Sequence, residues 1–176
     1  MKLSIRQADL TRASDSAAIV SVLDSYARDV MGGGEPLRPD VRARLAQALR
    51  DHPTTVAFLA SDEAEPVGVA VCFLGFSTFH ARPLLNIHDL AVVPDRRGQG
   101  IGRALLQAAE AEAVHRGCCK LTLEVRDDNA RARRLYDGFG FTDFVVAQTT
   151  APTRFLAKSL DEQHGRQRPD TQPARR

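Results

Sequence analysis

The residues best suited to chemistry lie in one short stretch, Arg96-Arg97-Gly98-Gln99-Gly100-Ile101-Gly102-Arg103. Three alternating glycines are flanked by arginines. Glycine adopts positive φ readily and lets a ligand approach the backbone closely. An apolar run, Leu84 to Val93, precedes the stretch, and an amphipathic run, Ala104 to Gly117, follows it. That order reads as strand, turn, helix. A helix N-terminus carries unpaired N–H donors and a partial positive charge. The combination suits an anionic group, above all a pyrophosphate.

The elements that must position this turn follow from periodicity and punctuation. Leu3 to Ala8 alternates and reads as a strand. A helix capped by Ser14 or Asp15 follows, with Ile19, Val22, Leu23, Tyr26 and Val30 on one side, so Tyr26 reads as a core residue. Met31-Gly32-Gly33-Gly34-Glu35-Pro36 breaks it, and a second helix spans about Asp40 to Arg50. Thr54–Ala60 and Val67–Phe76 read as an antiparallel hairpin, and Leu84–Val93 as a central strand. The long helix, Gly100 to Arg116, buries Ile101, Leu105, Ala108, Ala109 and Ala113, with Gly117 as its C-terminal cap. Lys120–Val125 alternates as a strand, parallel to Leu84–Val93 through a right-handed crossover. A short helix capped at Asp127, Asp128 or Asn129 ends near Gly138. Phe141–Ala147 and Thr153–Lys158 read as closing strands. The tail from Asp161 has no apolar face and is expected to be disordered.

The chain has 176 residues and 43% hydrophobic content, enough for one domain with a sizeable core. The net charge of +2 implies neither a nucleic-acid nor a membrane partner. No apolar run approaches the roughly 20 residues of a membrane helix, and the N-terminus does not read as a signal peptide. A cytoplasmic location is expected. Cys72, Cys118 and Cys119 have neither metal-ligand spacing nor the pattern of a disulfide framework, and no metal is expected.

Which phosphate ligand the turn takes is narrowed by spacing. A triphosphate loop needs a lysine and a hydroxyl residue after its last glycine, and neither follows Gly102. A dinucleotide fingerprint needs a third glycine where Arg103 stands, near the start of the chain's first βαβ unit. What remains is Arg97-x-x-Gly100-x-Gly102. The segment Asp89-Leu90-Ala91-Val92 through Gly102 resembles the acetyl-CoA signature of the GNAT superfamily of N-acetyltransferases. Asn129, Ala132, Leu135, Tyr136 and Gly140-Phe141 resemble that family's downstream helix motif. The element order from residue 3 to about 158 is similar throughout.

The resemblance implies a mixed α/β fold over residues 1–160. Its sheet would be mostly antiparallel, six- to seven-stranded, flanked by helices on both faces, with a splayed central parallel pair. It implies acetyl-CoA as co-substrate, with the pyrophosphate on Arg97, Gly98, Gln99, Gly100, Ile101, Gly102 and Arg103. The pantetheine arm would lie along Leu90, Ala91 and Val92. Asn129 matches a position that contacts the arm, or serves as a helix cap. Tyr136 matches the family's general acid for the leaving thiolate, a phenol with ordinary pKa about 10. Where the family often carries a glutamate as base, this chain has His88, with Asp89 beside it. Successive strand residues face opposite sides, so one of the two faces the cleft unless a bulge brings both to it. The implied reaction is N-acetylation of a primary amine, of a small molecule or of a protein, by direct attack in a ternary complex. Homodimers are common among similar proteins. A CoA-binding module without turnover would carry the same cofactor motif but would not need Tyr136, His88 or Asp89.

Overall fold

The computed structural model describes residues 2–143 and 156–157. The chain divides into a compact unit of residues 1–140 and a second unit from Phe141 onward. All elements described here belong to the first. In chain order they are β1 (Leu3–Gln7), α1 (Ala13–Ala27), α2 (Pro39–Asp51), β2 (Thr55–Asp62), β3 (Glu65–Ser77), β4 (Arg82–Val92), α3 (Ile101–His115), β5 (Leu121–Leu123) and α4 (Ala130–Asp137). A single 3-10 turn, Pro94–Arg96, joins β4 to the glycine stretch.

Among the described residues the sheet has five strands in sequential order, β1-β2-β3-β4-β5. The first three pairings are antiparallel and β4–β5 is parallel. The mixed α/β sheet with a parallel pair matches the expectation. The closing strands expected at 141–147 and 153–158 lie largely outside the described residues, as does the tail from 161. Residues 141–143 are described and are not strand.

The central strands are apolar on both faces because helices cover both. Ala57, Leu59, Val69, Val71 and Ala91 pack with Ile19, Val22 and Leu23 of α1 and Leu49 of α2. Alternate residues point the other way. A Cβ on Gly68 would lie 3.1 Å from the side chains of Ile101 and Leu105, so α3 sits on that opposite face. Ile101, Leu105, Leu106, Ala109 and Ala113 form its buried stripe. Gly117, at φ +67°, ends the helix, with the N–H of Cys118 returning to Ala113 O at 2.9 Å.

The start of α1 differs from expectation. The helix begins at Ala13, its N-cap is Arg12, and no side chain caps it. Asp15 instead points inward, 2% exposed. It accepts both Nη groups of Arg6, at 2.5 and 2.7 Å, and the N–H of Asp9 at 2.8 Å. A buried carboxylate with a bidentate guanidinium gains more than a surface cap would, and it ties β1 to α1. Asp24 does the same at the other end of α1. It accepts the N–H of Leu37 at 3.0 Å and faces Arg28 and Arg42, closing the α1–α2 connection.

The Arg6 hydrogen bonds hold the Asp15 carboxyl at about 2, against an ordinary 3.8. A depressed carboxylate contributes stability above its unfolded pKa and loses it as pH falls through the folded value. Asp15→Asn is expected to cost roughly 1.5–3 kcal/mol at neutral pH. In urea melts taken across pH, the gap to the native protein should narrow from about pH 4 toward pH 2.

Candidate active site

The site is set by a disturbance in β4. Val71 of β3 pairs with Asp89, but the next residue, Cys72, pairs with Ile87, so His88 is the extra residue of a β-bulge. A bulge turns adjacent side chains toward one side and bends the strand. Asp89 shares the face of Val71 and Ala91, toward α1 and α2. His88 is exposed, with its ring edge-on to Phe73 of the same face at 5.4 Å. His88 and Asp89 therefore reach the same side, the arrangement in which both approach the cleft.

The bulge is also where the sheet opens. The β4–β5 pairing is limited to Leu85↔Leu121, Asn86↔Thr122 and Ile87↔Leu123. The Asn86 side-chain amide locks this short pair by donating to Thr122 Oγ1 at 3.1 Å. Beyond Ile87, β4 runs on to Val92 with no described strand on its β5 side. β5 is accordingly Leu121–Leu123, shorter than the expected Lys120–Val125. Leu90, Ala91 and Val92 lie along this unpaired edge.

Beyond β4 comes the glycine turn. Gly98 and Gly100 have φ of +76° and +82°, and a Cβ at either would meet nothing within 4 Å, so backbone conformation requires them. Gly100 is the N-cap of α3 in the left-handed region and offers no side-chain cap. The N–H groups of Ile101, Gly102 and Arg103 open the helix, where helix geometry provides no intrahelical acceptor. Gly102 is needed for another reason. A Cβ there would come 3.1 Å from Leu135 Cδ2, so α4 rests on the first turn of α3 at this point.

The side chains flanking the turn are engaged within the protein. Arg97 donates from Nη1 to Asp29 Oδ2 at 2.7 Å and from Nε to Val92 O at 3.0 Å, and its own N–H donates to Pro94 O. The Arg97 side chain and N–H are thus both bonded within the protein. Arg103 donates to Gly138 O at 3.2 Å and stacks over Phe139, bracing α4. Gln99 Nε2 donates to Asp95 O at 3.3 Å, and the Ile101 side chain is fully buried. Asn129 is the N-cap of α4, its Oδ1 accepting the N–H of Ala132 at 3.1 Å. Ion pairs around α4 join Arg126 to Asp128 and Arg133 to Asp127.

The electrostatics of the opening centre on three residues. Burial raises the Asp89 carboxyl above its ordinary value, with His88 opposing that rise. Burial, reinforced by Tyr26, pushes the Tyr136 phenol up to about 12. Tyr26 is raised by burial and by the neighbouring Asp89 and Asp29. Tyr26 therefore lies within electrostatic reach of both Asp89 and Tyr136. Helical spacing marks Tyr26 as a core residue. Its ring does pack on the α1–α2 cluster, but its hydroxyl reaches Met31 O at 3.4 Å. Helical spacing reveals the buried body of such a residue and says nothing of its polar tip.

A family model described as "Acetyltransferase (GNAT) family" matches residues 19–141. The chain belongs to the GNAT family. It is 31% identical over 155 residues to the N-acetyltransferase YhfO of Bacillus subtilis (strain 168), covering 86% of this chain and all of that one. It is 33% identical over 116 residues to the thialysine N-epsilon-acetyltransferase of Bos taurus, covering 63% of this chain and 68% of that one. A crystal structure titled as a probable acetyltransferase superposes with a TM-score of 0.73 at 19% identity, over 89% of this chain and 99% of that one. The GNAT chain is thus an N-acetyltransferase that uses acetyl-CoA.

For this GNAT chain, Gly100→Ala places a side chain at positive φ, with a strain of about 1–2 kcal/mol. The expected outcome is an acetyl-CoA Kd raised by about five- to thirtyfold in titration calorimetry. An unchanged Kd would place the anion site elsewhere.

Proposed function

We propose that this enzyme transfers the acetyl group of acetyl-CoA to the primary amine of a small molecule, by direct attack in a ternary complex. The observation that carries the reading is the end of the β4–β5 pairing at Ile87 and Leu123, with Asp89 next on β4, the glycine turn following the same strand, and Leu135, beside Tyr136, resting on Gly102 of that turn. The N–H groups from Gly98 to Arg103 would hold the pyrophosphate, and the edge at Leu90–Val92 would hold the arm. The positive φ of Gly98 and Gly100, with clear space beside both, supports that fit. When bound, acetyl-CoA supplies a thioester carbonyl and a thiolate leaving group.

An amine is protonated near neutral pH and must shed a proton before it can attack. Asp89 is the base in this reading. It is partly buried, its proton affinity is raised, and the bulge sets His88 beside it to share the proton or relay it through water. Tyr136 serves the leaving sulfur. With its pKa near 12 the phenol stays protonated across the working range. Its Oη then donates a hydrogen bond to the growing thiolate; the proton shed before attack passes through Asp89 to water, and the second, lost from nitrogen as the C–N bond forms and the C–S bond breaks, ends on the sulfur as the free thiol. Cys72 is fully buried with its thiol pushed up to about 12. That disfavours it as a covalent acetyl carrier and supports direct transfer. A small acceptor agrees with the name of the bovine relative, a thialysine N-epsilon-acetyltransferase.

Thiol release assayed against a panel of primary amines tests the reading. Asp89→Asn is expected to lower kcat by about 10²–10⁴ and to remove the acidic limb of the kcat/KM profile. That limb lies above the ordinary carboxylate range because the Asp89 carboxyl is raised. Loss of the limb in His88→Ala, with Asp89→Asn keeping it, would make His88 the base. Tyr136→Phe is expected to lower kcat about a hundredfold with acetyl-CoA affinity unchanged. Tight acetyl-CoA binding without turnover on any amine would overturn the enzymatic reading in favour of a sensor.

A further inference from the structure

The arginine of the signature, Arg97, does something that the anion site does not use. Its guanidinium forms an ion pair with Asp29, a residue 68 positions away, and the two side chains are only 20% and 15% exposed. Asp29 in turn shapes the connection that leaves α1. Its Oδ1 accepts the N–H of Met31 at 2.9 Å, and its carbonyl accepts those of Gly32 and Gly34 at 2.8 and 2.9 Å. Its own N–H donates to Tyr26 O at 2.9 Å. Gly32 is folded so tightly against α1 that a Cβ there would lie 2.0 Å from Tyr26 O. The Tyr26 hydroxyl completes the loop by bonding Met31 O.

These contacts form one continuous path. It runs from Val92 O and the start of the glycine turn through Arg97 to Asp29, then to the 29–34 turn, and finally to Tyr26, whose ring packs on the cluster of Val71 and Ala91, the face of β4 that carries Asp89. The Arg97–Asp29 pair at its centre is of low exposure, where such a bond is strong and costly to break. We infer that Arg97 and Asp29 are positioning residues for the amine-accepting half of the site, with the Arg97 side chain fixing the 29–34 turn and Tyr26 rather than binding phosphate. This assignment rests on the proposed acetyl transfer for its kinetic arm only. Its structural arm stands without turnover.

The test compares wild type with Asp29→Asn, Arg97→Gln and the charge-swapped Asp29→Arg/Arg97→Asp pair. Hydrogen exchange by mass spectrometry over residues 29–34 is expected to accelerate at least tenfold in both single variants and to recover partly in the swap. The KM for the amine that wild type turns over fastest should rise about tenfold in Asp29→Asn, while acetyl-CoA Kd stays within about threefold. A rise in acetyl-CoA Kd with amine KM and exchange unchanged would make Arg97 a phosphate ligand and overturn the inference. No change in any readout would also overturn it. If Asp29→Asn fails to fold, Arg97→Lys keeps the charge facing Asp29 and loses the Nε bond to Val92. It should show the same exchange and KM signature in weaker form, and a native signature would count against the path. A wild type that binds acetyl-CoA but acetylates no amine sinks the proposed reaction and leaves the exchange result readable.

Discussion

The conflict inside β4 governs the rest of the molecule. An interior strand satisfies its backbone groups on both edges, and leaving them unpaired in a buried setting is costly. β4 keeps its pairing with β3 over nearly its full length. On the other edge it keeps only three residues with β5. The extra residue His88 makes both outcomes compatible. It absorbs the mismatch against β3 at the point where the pairing with β5 ends, and turns a carboxylate and an imidazole to one face. The end of the β4–β5 pairing and the His88–Asp89 juxtaposition thus fall at one point of the strand. The helices then close the remaining exposed groups: α3 covers one face, α1 and α2 the other, and α4 leans on the start of α3.

Much of this was legible in the sequence because it is locally encoded. The alternation of Leu121 and Leu123, the stripe along α3, the stop at Gly117 and the glycine turn each depend on residues a few positions apart. The structure reproduces them with boundaries shifted by one to three residues. Asn129 as a cap belongs to the same class. The shortened β5 was not legible, since Val125 continues the alternation, and only the bend at His88 ends the pairing. The motif pointed to Arg97 and Arg103 as neighbours of phosphate, but each guanidinium has a partner in another element. Arg97 finds Asp29 across 68 residues, and Arg103 finds the end of α4. Long-range partners of charged side chains leave no periodic trace.

Burial of polar groups is used sparingly and with compensation. Asp15 and Asp24 are buried with full sets of donors and brace the two ends of α1. Both belong to α1, the helix that also carries Tyr26, so that helix is held from both ends. Asp89 differs from them: its surroundings favour the protonated form, whereas those of Asp15 and Asp24 favour the anion. The same residue type is thus an anionic strut in two places and a carboxyl with raised proton affinity in a third, and the donors around each decide which.

Gly102 joins two parts of the site through the absence of a side chain. It stands in the first turn of α3, among the N–H groups suited to a pyrophosphate, and it is the point on which Leu135 rests. Tyr136 is the next residue. The tyrosine hydroxyl is therefore sited relative to the anchoring end of the donor by direct contact between two helices, with no flexible segment intervening. The molecule acts as a caliper: one jaw is the glycine turn, the other is the phenol, and the gap between them is set by packed atoms. On the proposed reading, an acyl carrier held at the turn would be read by the length of its arm as well as by its charge.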